Sequence, residues 1–379
     1  MLTVIIFLIV LAVLIFVHEL GHFLFARWNG IRVDEFKIGF GPKLFYWTKG
    51  ETKYGLNLIP FGGYVKIHGE NPDQESISGH DKDRSFVNKK SWQQILVLFA
   101  GVLFNFIFAW VLYSIVFVSG VTTDPIGFEK YKDNFQNQRV MITSISPGSP
   151  AEKAGLVIGD IIFSVNNSLV TSSLKDGPNG IIAIQNTINS SGGKSIELGI
   201  RRKPNFQASV DYLSYNIAVE PIRGIVKDKY AIGIAMADVV DMKLSLFSAV
   251  YEGLRYTLVM IRETAIGLYD FFANIFRGHA NFTDVAGPIG IAGIVGGAAK
   301  MGLTYLLMIT ALISINLGVI NLIPFPALDG GRILFVIIET IIRKRIAPKY
   351  ANAVNTVGFV LLMTLMVIVT YKDVVKLFR

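Results

Sequence analysis

Two histidines and a glutamate stand within five positions near the start of the chain, in His18-Glu19-Leu20-Gly21-His22. Histidines four apart share one face of a helix, one turn apart. Both imidazoles can then reach a single metal ion, with the intervening glutamate as general base. The plainer alternative is a histidine pair hydrogen-bonded to a neighbouring helix. Residues 2–26 are otherwise almost wholly apolar, and ionisable groups in such a run are costly and usually functional. A catalytic zinc takes a third protein ligand and keeps a fourth position for water. The chain has no cysteine, so His, Asp or Glu must supply that ligand. His68, His80 and His279 lie in polar or loop contexts. Asp329 is the better candidate. It sits between two apolar runs, just after Pro324 and Pro326 break the preceding helix. It could also cap the helix that starts near Gly331.

Four runs are long and apolar enough to cross a bilayer: 2–26, 95–118, 303–323 and 354–369, the last extending to 353–371. With 52% hydrophobic residues and a mean hydropathy of +0.49, the chain reads as a polytopic α-helical membrane protein with four transmembrane helices. The first run lacks a basic leader and a small-residue cleavage site, so a retained helix is expected. The net charge of +8 is scattered around the spans. That pattern fits membrane orientation rather than nucleic-acid binding. Lys and Arg cluster after the first span and before the second, and again between the third and fourth. Both loops are expected on the cytoplasmic side, with both termini outside. At 1.5 Å per residue, His18 lies roughly 24 Å along the first helix and Ile323 roughly 30 Å along the third. Both sets should therefore meet near the cytoplasmic leaflet.

The segments between spans supply the remaining parts. Residues 31–66 alternate aromatic and branched residues with Gly and Pro, which suggests β-hairpins dipping into the membrane against the helices. Residues 139–202 follow a strand, Ser-Pro-Ala-x-x-Ala-Gly-Leu, Gly-Asp-x-Ile, helix, strand order. This resembles a PDZ domain, a fold that takes extended peptides along a sheet edge; a spacer without a ligand is the alternative. Residues 247–275 carry an apolar stripe at helical spacing, suited to a helix lying on the outer membrane surface or packing on the protein's own core. The expected domains are 1–28, a first transmembrane helix; 29–91, the membrane-dipping β region; and 92–119, a second helix. A PDZ-like domain at 120–225 follows, outside the cytoplasm, then an amphipathic helix and linker at 226–301. Transmembrane helix 3 with the Asp329 motif takes 302–342, and helix 4 takes 343–379.

With His-Glu-Leu-Gly-His in the first span and Asn-x-x-Pro-x-Pro-x-Leu-Asp-Gly-Gly after the third, the chain resembles the site-2 protease family. The order of parts is similar to its bacterial regulator of sigma-E protease branch. Further motifs carry the likeness across nearly the whole chain: Gly-Phe-Gly-Pro at 39–42, Pro-x-Gly-Gly-Tyr-Val-Lys at 60–66, Phe-Ala-Gly-x-x-x-Asn at 99–105 and Gly-Pro-Ile-Gly-Ile-Ala at 287–292. The resemblance implies Zn2+ held by His18, His22 and Asp329, with Glu19 as base. It also implies that Asn321 and Asn316 hydrogen-bond the substrate backbone. It suggests single-span membrane proteins as substrates, such as a trimmed anti-sigma factor or signal-peptide remnants, and the bacterial inner membrane as the location. One PDZ-like unit is recognisable, where the enterobacterial pattern has two. An ion or proton transporter could also place His, Glu and Asp in spans, and a PDZ scaffold could hold partners without catalysis. Neither explains a helix-spaced metal pair.

Overall fold

The computed structural model describes residues 2–70, 74–170, 179–202, 212–226, 228–278 and 286–377. These divide into two compact units: 1–115 with 250–299 and 305–379, and 116–249 with 300–304.

The first unit opens with α1 (Leu2–Trp28). It is followed by two long antiparallel strands, β1 (Val33–Lys49) and β2 (Thr52–Ile67). Their register is doubled: Phe36 pairs with both Tyr54 and Val65, and Tyr54 also pairs with Trp47. Each strand bends, near 39–42 and 58–62, so the two fold into four short segments. Their lateral order is 43–49, 52–57, 33–38, 63–67. Phe36 packs this sheet on the helix, with its ring 5.2 Å from Phe23 and 5.7 Å from Phe16 of α1. A short helix, α2 (Gln74–Ser78), leads to α3 (Ser91–Ser119).

The second unit is built on an antiparallel sheet. In chain order its elements are β3 (Val121–Thr123), β4 (Phe135–Ile145), α4 (Pro150–Lys153), β5 (Ile161–Val165), β6 (Ser168–Leu169), α5 (Asn179–Ser190), β7 (Ile196–Arg202), β8 (Leu213–Val219), β9 (Ile222–Val226), β10 (Lys229–Ala231) and β11 (Ile234–Met242). The lateral order is β3-β11-β4-β5-β7-β8, with β6 on β5 and β9–β10 as a separate hairpin. Alternate residues turn inward as strand pleating requires. Val140, Ile142, Ile162, Leu198 and Ile200 meet Ile184 of α5 in one core. The α4 turn is capped locally: Glu152 N donates to Ser149 Oγ at 3.3 Å, Gly148 N donates to Glu152 Oε2 at 2.6 Å, and Pro150 sits in the first turn. The sequence boundary at 225 falls inside β9, whereas the compact unit runs on to 249 and takes in β11. The chain enters and leaves the sheet side by side, since Val121 pairs with Met242.

The remaining helices are α6 (Leu246–Phe276), α7 (Pro288–Met301), α8 (Leu303–Asn321), α9 (Asp329–Ile342) and α10 (Pro348–Leu377). Among the described residues, four helices have the length and apolarity to cross a membrane: 2–28, 91–119, 303–321 and 348–375. The protein is a polytopic membrane protein. The amphipathic α6 packs on α3 along one face, where Trp110 Nε1 donates to the Val250 carbonyl at 2.9 Å and Tyr113 meets Tyr256 edge to face at 4.9 Å. It leaves Phe247, Leu254, Leu258 and Tyr269 exposed. One face of the stripe thus packs on the protein's own core, and another is exposed.

Candidate active site

The His-Glu-Leu-Gly-His motif lies inside α1, where the i, i+4 spacing puts both imidazoles on the face toward α3. Gly21 makes the approach possible: a Cβ there would fall 2.3 Å from the Ala100 carbonyl oxygen of α3. The chain reaches Asp329 by a different route. Residues 322–328 break the helical run between α8 and α9, with Ala327 held at φ 72°. Gly330 and Gly331 let the first turn of α9 lie against the Leu322, Ile323 and Phe325 carbonyls, which a Cβ would strike at 2.2–2.4 Å. Asp329 is the first residue of α9, and Leu328 is its cap. The expected capping role is therefore not the one Asp329 plays.

Three donor atoms converge. His18 Nε2 and His22 Nε2 are 3.2 Å apart, and Asp329 Oδ2 is 3.2 Å from the first and 3.4 Å from the second. Tetrahedral zinc with bonds of 2.0–2.1 Å spaces neighbouring ligand atoms by about 3.3 Å. The donor set fits: two imidazoles and a carboxylate, with Asp329 Oδ2 buried and lacking a hydrogen bond of its own among the described residues. The far nitrogen of His22, Nδ1, lies 2.9 Å from the Val97 carbonyl oxygen. A carbonyl can only accept, so Nδ1 carries the hydrogen and Nε2 keeps its lone pair for a metal.

Glu19 faces the sheet. Its Oε2 accepts a hydrogen bond from Val65 N at 3.0 Å, at the edge segment 63–67. Two cavities of about 300 and 310 Å³ flank it. The first is lined by His18, Glu19, Gly63, Asn321 and Asp329, the second by Glu19, His22, Tyr64, Lys66 and Arg332. Asn321 thus stands on the cavity wall, with Nδ2 3.5 Å from His18 Nε2. Asn316 does not reach that wall; its Oδ1 accepts from Thr264 Oγ1 of α6 at 3.1 Å. Of the histidines set aside, His68 is tied by its backbone to Arg32 and Phe86, and His80 is exposed. His279 lies outside the described residues. Arg332, one turn beyond Asp329 and ion-paired with Glu70, is a site residue that sequence reasoning missed. Its place one turn after the aspartate was the available signal.

Comparison with known proteins agrees with this chemistry. Residues 6–365 match the family model "Peptidase family M50". A Clostridium perfringens protein named as a zinc metalloprotease is 38% identical, with 97% of each chain covered. A similarly named Clostridium acetobutylicum protein is 35% identical, covering 98% of this chain and 97% of the relative. Zinc metalloprotease RasP of Shouchella clausii is 29% identical, with 99% of each covered. With a zinc-compatible donor cluster and a glutamate beside it on apolar helices, the chain belongs to Peptidase family M50 and is a zinc metalloprotease of the bacterial membrane.

Proposed function

We propose that the protein is an intramembrane endopeptidase that cuts the transmembrane segments of single-span membrane proteins. His18, His22 and Asp329 hold the zinc, Glu19 is the general base, and Asn321 positions substrate. The observation that carries this reading is the convergence of those donors and Glu19 beside a sheet edge that no other strand covers among the described residues.

A peptide bond within a helix is shielded by its own turns, so the substrate must unwind before hydrolysis. Freed backbone groups need partners in a membrane. The outer side of segment 63–67 offers them, next to Glu19, by strand addition. When bound, zinc supplies the Lewis acidity that acidifies water and polarises a carbonyl. Glu19 Oε2 is occupied by Val65 N. Its Oε1 is the oxygen that takes a proton from the attacking water and passes it to the leaving nitrogen. The Asn321 carboxamide, on the cavity wall, hydrogen-bonds the extended substrate backbone. Asn316, linked to Thr264, acts through the packing of α8 on α6 rather than by touching substrate.

The wider setting follows from charge and topology. Both termini and the second unit lie outside the cytoplasm of the bacterial inner membrane, with the β1–β2 sheet on the cytoplasmic side. The second unit is a PDZ-like domain that excludes substrates with bulky outer domains or binds a peptide end. Substrates are therefore proteins already trimmed outside, such as an anti-sigma factor or a signal-peptide remnant. The test is incubation of the purified chain with a tagged single-span substrate, with and without a chelator. Cleavage should stop with the chelator and return with added zinc. Undiminished cleavage in the chelator, or ion flux in liposomes without cleavage, would sink the reading.

A further inference from the structure

The two metal-facing histidines are anchored differently. His22 Nδ1 meets a backbone carbonyl, which fixes its tautomer. His18 Nδ1 meets the side chain of Asn105, 3.2 Å away on α3, one turn beyond Gly101. Asn105 is wholly buried, and its backbone carbonyl accepts a hydrogen bond from Ser314 Oγ of α8 at 2.8 Å. A carboxamide can donate from Nδ2 or accept at Oδ1, and its two ends occupy nearly the same space.

The two orientations have opposite consequences. With Nδ2 donating to Nδ1, the hydrogen of His18 must sit on Nε2. It would then face His22 Nε2, and the Asn321 Nδ2 donor 3.5 Å away would meet a second donor. This orientation also leaves Asn105 Oδ1 buried with no partner among the described residues, a costly state. Turned by 180°, Oδ1 accepts from Nδ1–H, and Nε2 presents its lone pair to the cluster. The rotation gives Oδ1 a donor and frees the Nε2 lone pair, with the amide nitrogen taking the place that Oδ1 leaves.

We propose that Asn105 is a positioning residue for the metal site, whose side-chain oxygen accepts from His18 Nδ1–H and so holds His18 in the tautomer that binds zinc. The inference rests on His18 being a ligand, which is tested separately. Outer partners of this kind orient a ligating ring and raise its basicity, and their loss weakens metal binding about 10–100-fold.

Zinc affinity of the full chain in detergent, measured by competition with a chelator, provides the readout. Asn105→Leu should lose about 10–100-fold in affinity. Asn105→Asp, which can accept but not donate at Nδ1, should stay within a few-fold of the parent chain. Asn105→Leu binding like the parent, or Asn105→Asp losing as much as leucine, would overturn the proposal. If Asn105→Leu does not fold, Asn105→Asp decides alone: retained affinity supports the acceptor role, and lost affinity ends it. His18→Ala keeping full zinc affinity would instead remove the ligand reading beneath it.

Discussion

Gly101 lies directly under His22: a Cβ on this glycine would stand 2.3 Å from the imidazole Nε2, and 2.9 Å from Cε1 of His18. No real Cβ makes such contacts, so the absence of a side chain on α3 is a condition for the metal geometry. The reciprocal contact, Gly21 against Ala100, fixes the same helix crossing from the other side. Gly101→Ala should push both rings off their positions. A shift of about 1 Å can cost on the order of 100-fold in rate. The expected outcome is a chain that inserts in the membrane but carries much less than one zinc, measured by elemental analysis alongside cleavage.

Glu19 should be separable from metal binding. Glu19→Gln keeps the size and a hydrogen-bond acceptor for Val65 N, while removing the base. Zinc content should stay at one per chain, and cleavage should fall by about 10²–10⁴-fold, the usual contribution of a general base. A variant that also loses its zinc would show that Glu19 has a structural share in the site.

The sheet edge gives a third prediction. Val65→Pro removes the N–H that holds Glu19 Oε2 and interrupts the edge where an extended substrate would add. Because residues 33–38 pair the other side of this segment, the inner pairing of Phe36 with Tyr54 remains. Cleavage should drop at least tenfold, by order of magnitude, with zinc retained. Zinc content and turnover, read together, separate this from loss of the site.

The second unit contains a half-buried anionic hub. Asp241 receives Arg139 at 2.7 and 2.8 Å, Thr122 at 2.6 Å and Asn137 at 3.0 Å. Burial pushes its carboxyl up, but the hydrogen bonds from Arg139, Thr122 and Asn137 outweigh this and hold it below the usual carboxylate range. A depressed folded-state value means that the stabilisation is present above the ordinary value of about 4 and is lost as pH falls through the lowered one. The protection factors of the β3, β4 and β11 amides, corrected for the intrinsic exchange rate, should therefore fall at acid pH. Asp241→Asn should lower that protection already at neutral pH and flatten its pH dependence.

How much of this was legible in the sequence follows from what each feature depends on. Apolar length and the i, i+4 histidine spacing are local, so the spans and the motif could be read directly. Asp329 was reachable because two prolines and an acid between apolar runs have few structural excuses. The four-segment sheet was legible only as Gly-interrupted hairpins. Its doubled register depends on where Phe36 finds a second partner, which no local pattern states. Asn105 was visible as part of a motif but had no role, because its meaning comes from a ring 87 positions away. Asn316 differs again: the resemblance implies a substrate contact, and its link to Thr264 of α6 is a long-range pairing that no local pattern states.

The three donors also order events in time. His18 and His22 leave the ribosome near the beginning, and Asp329 follows more than three hundred positions later. At 5–20 residues per second, roughly 15–60 s of synthesis separates the two halves of the cluster. During that interval the growing chain carries an imidazole pair without its carboxylate. The three-donor cluster stays incomplete until α9 arrives.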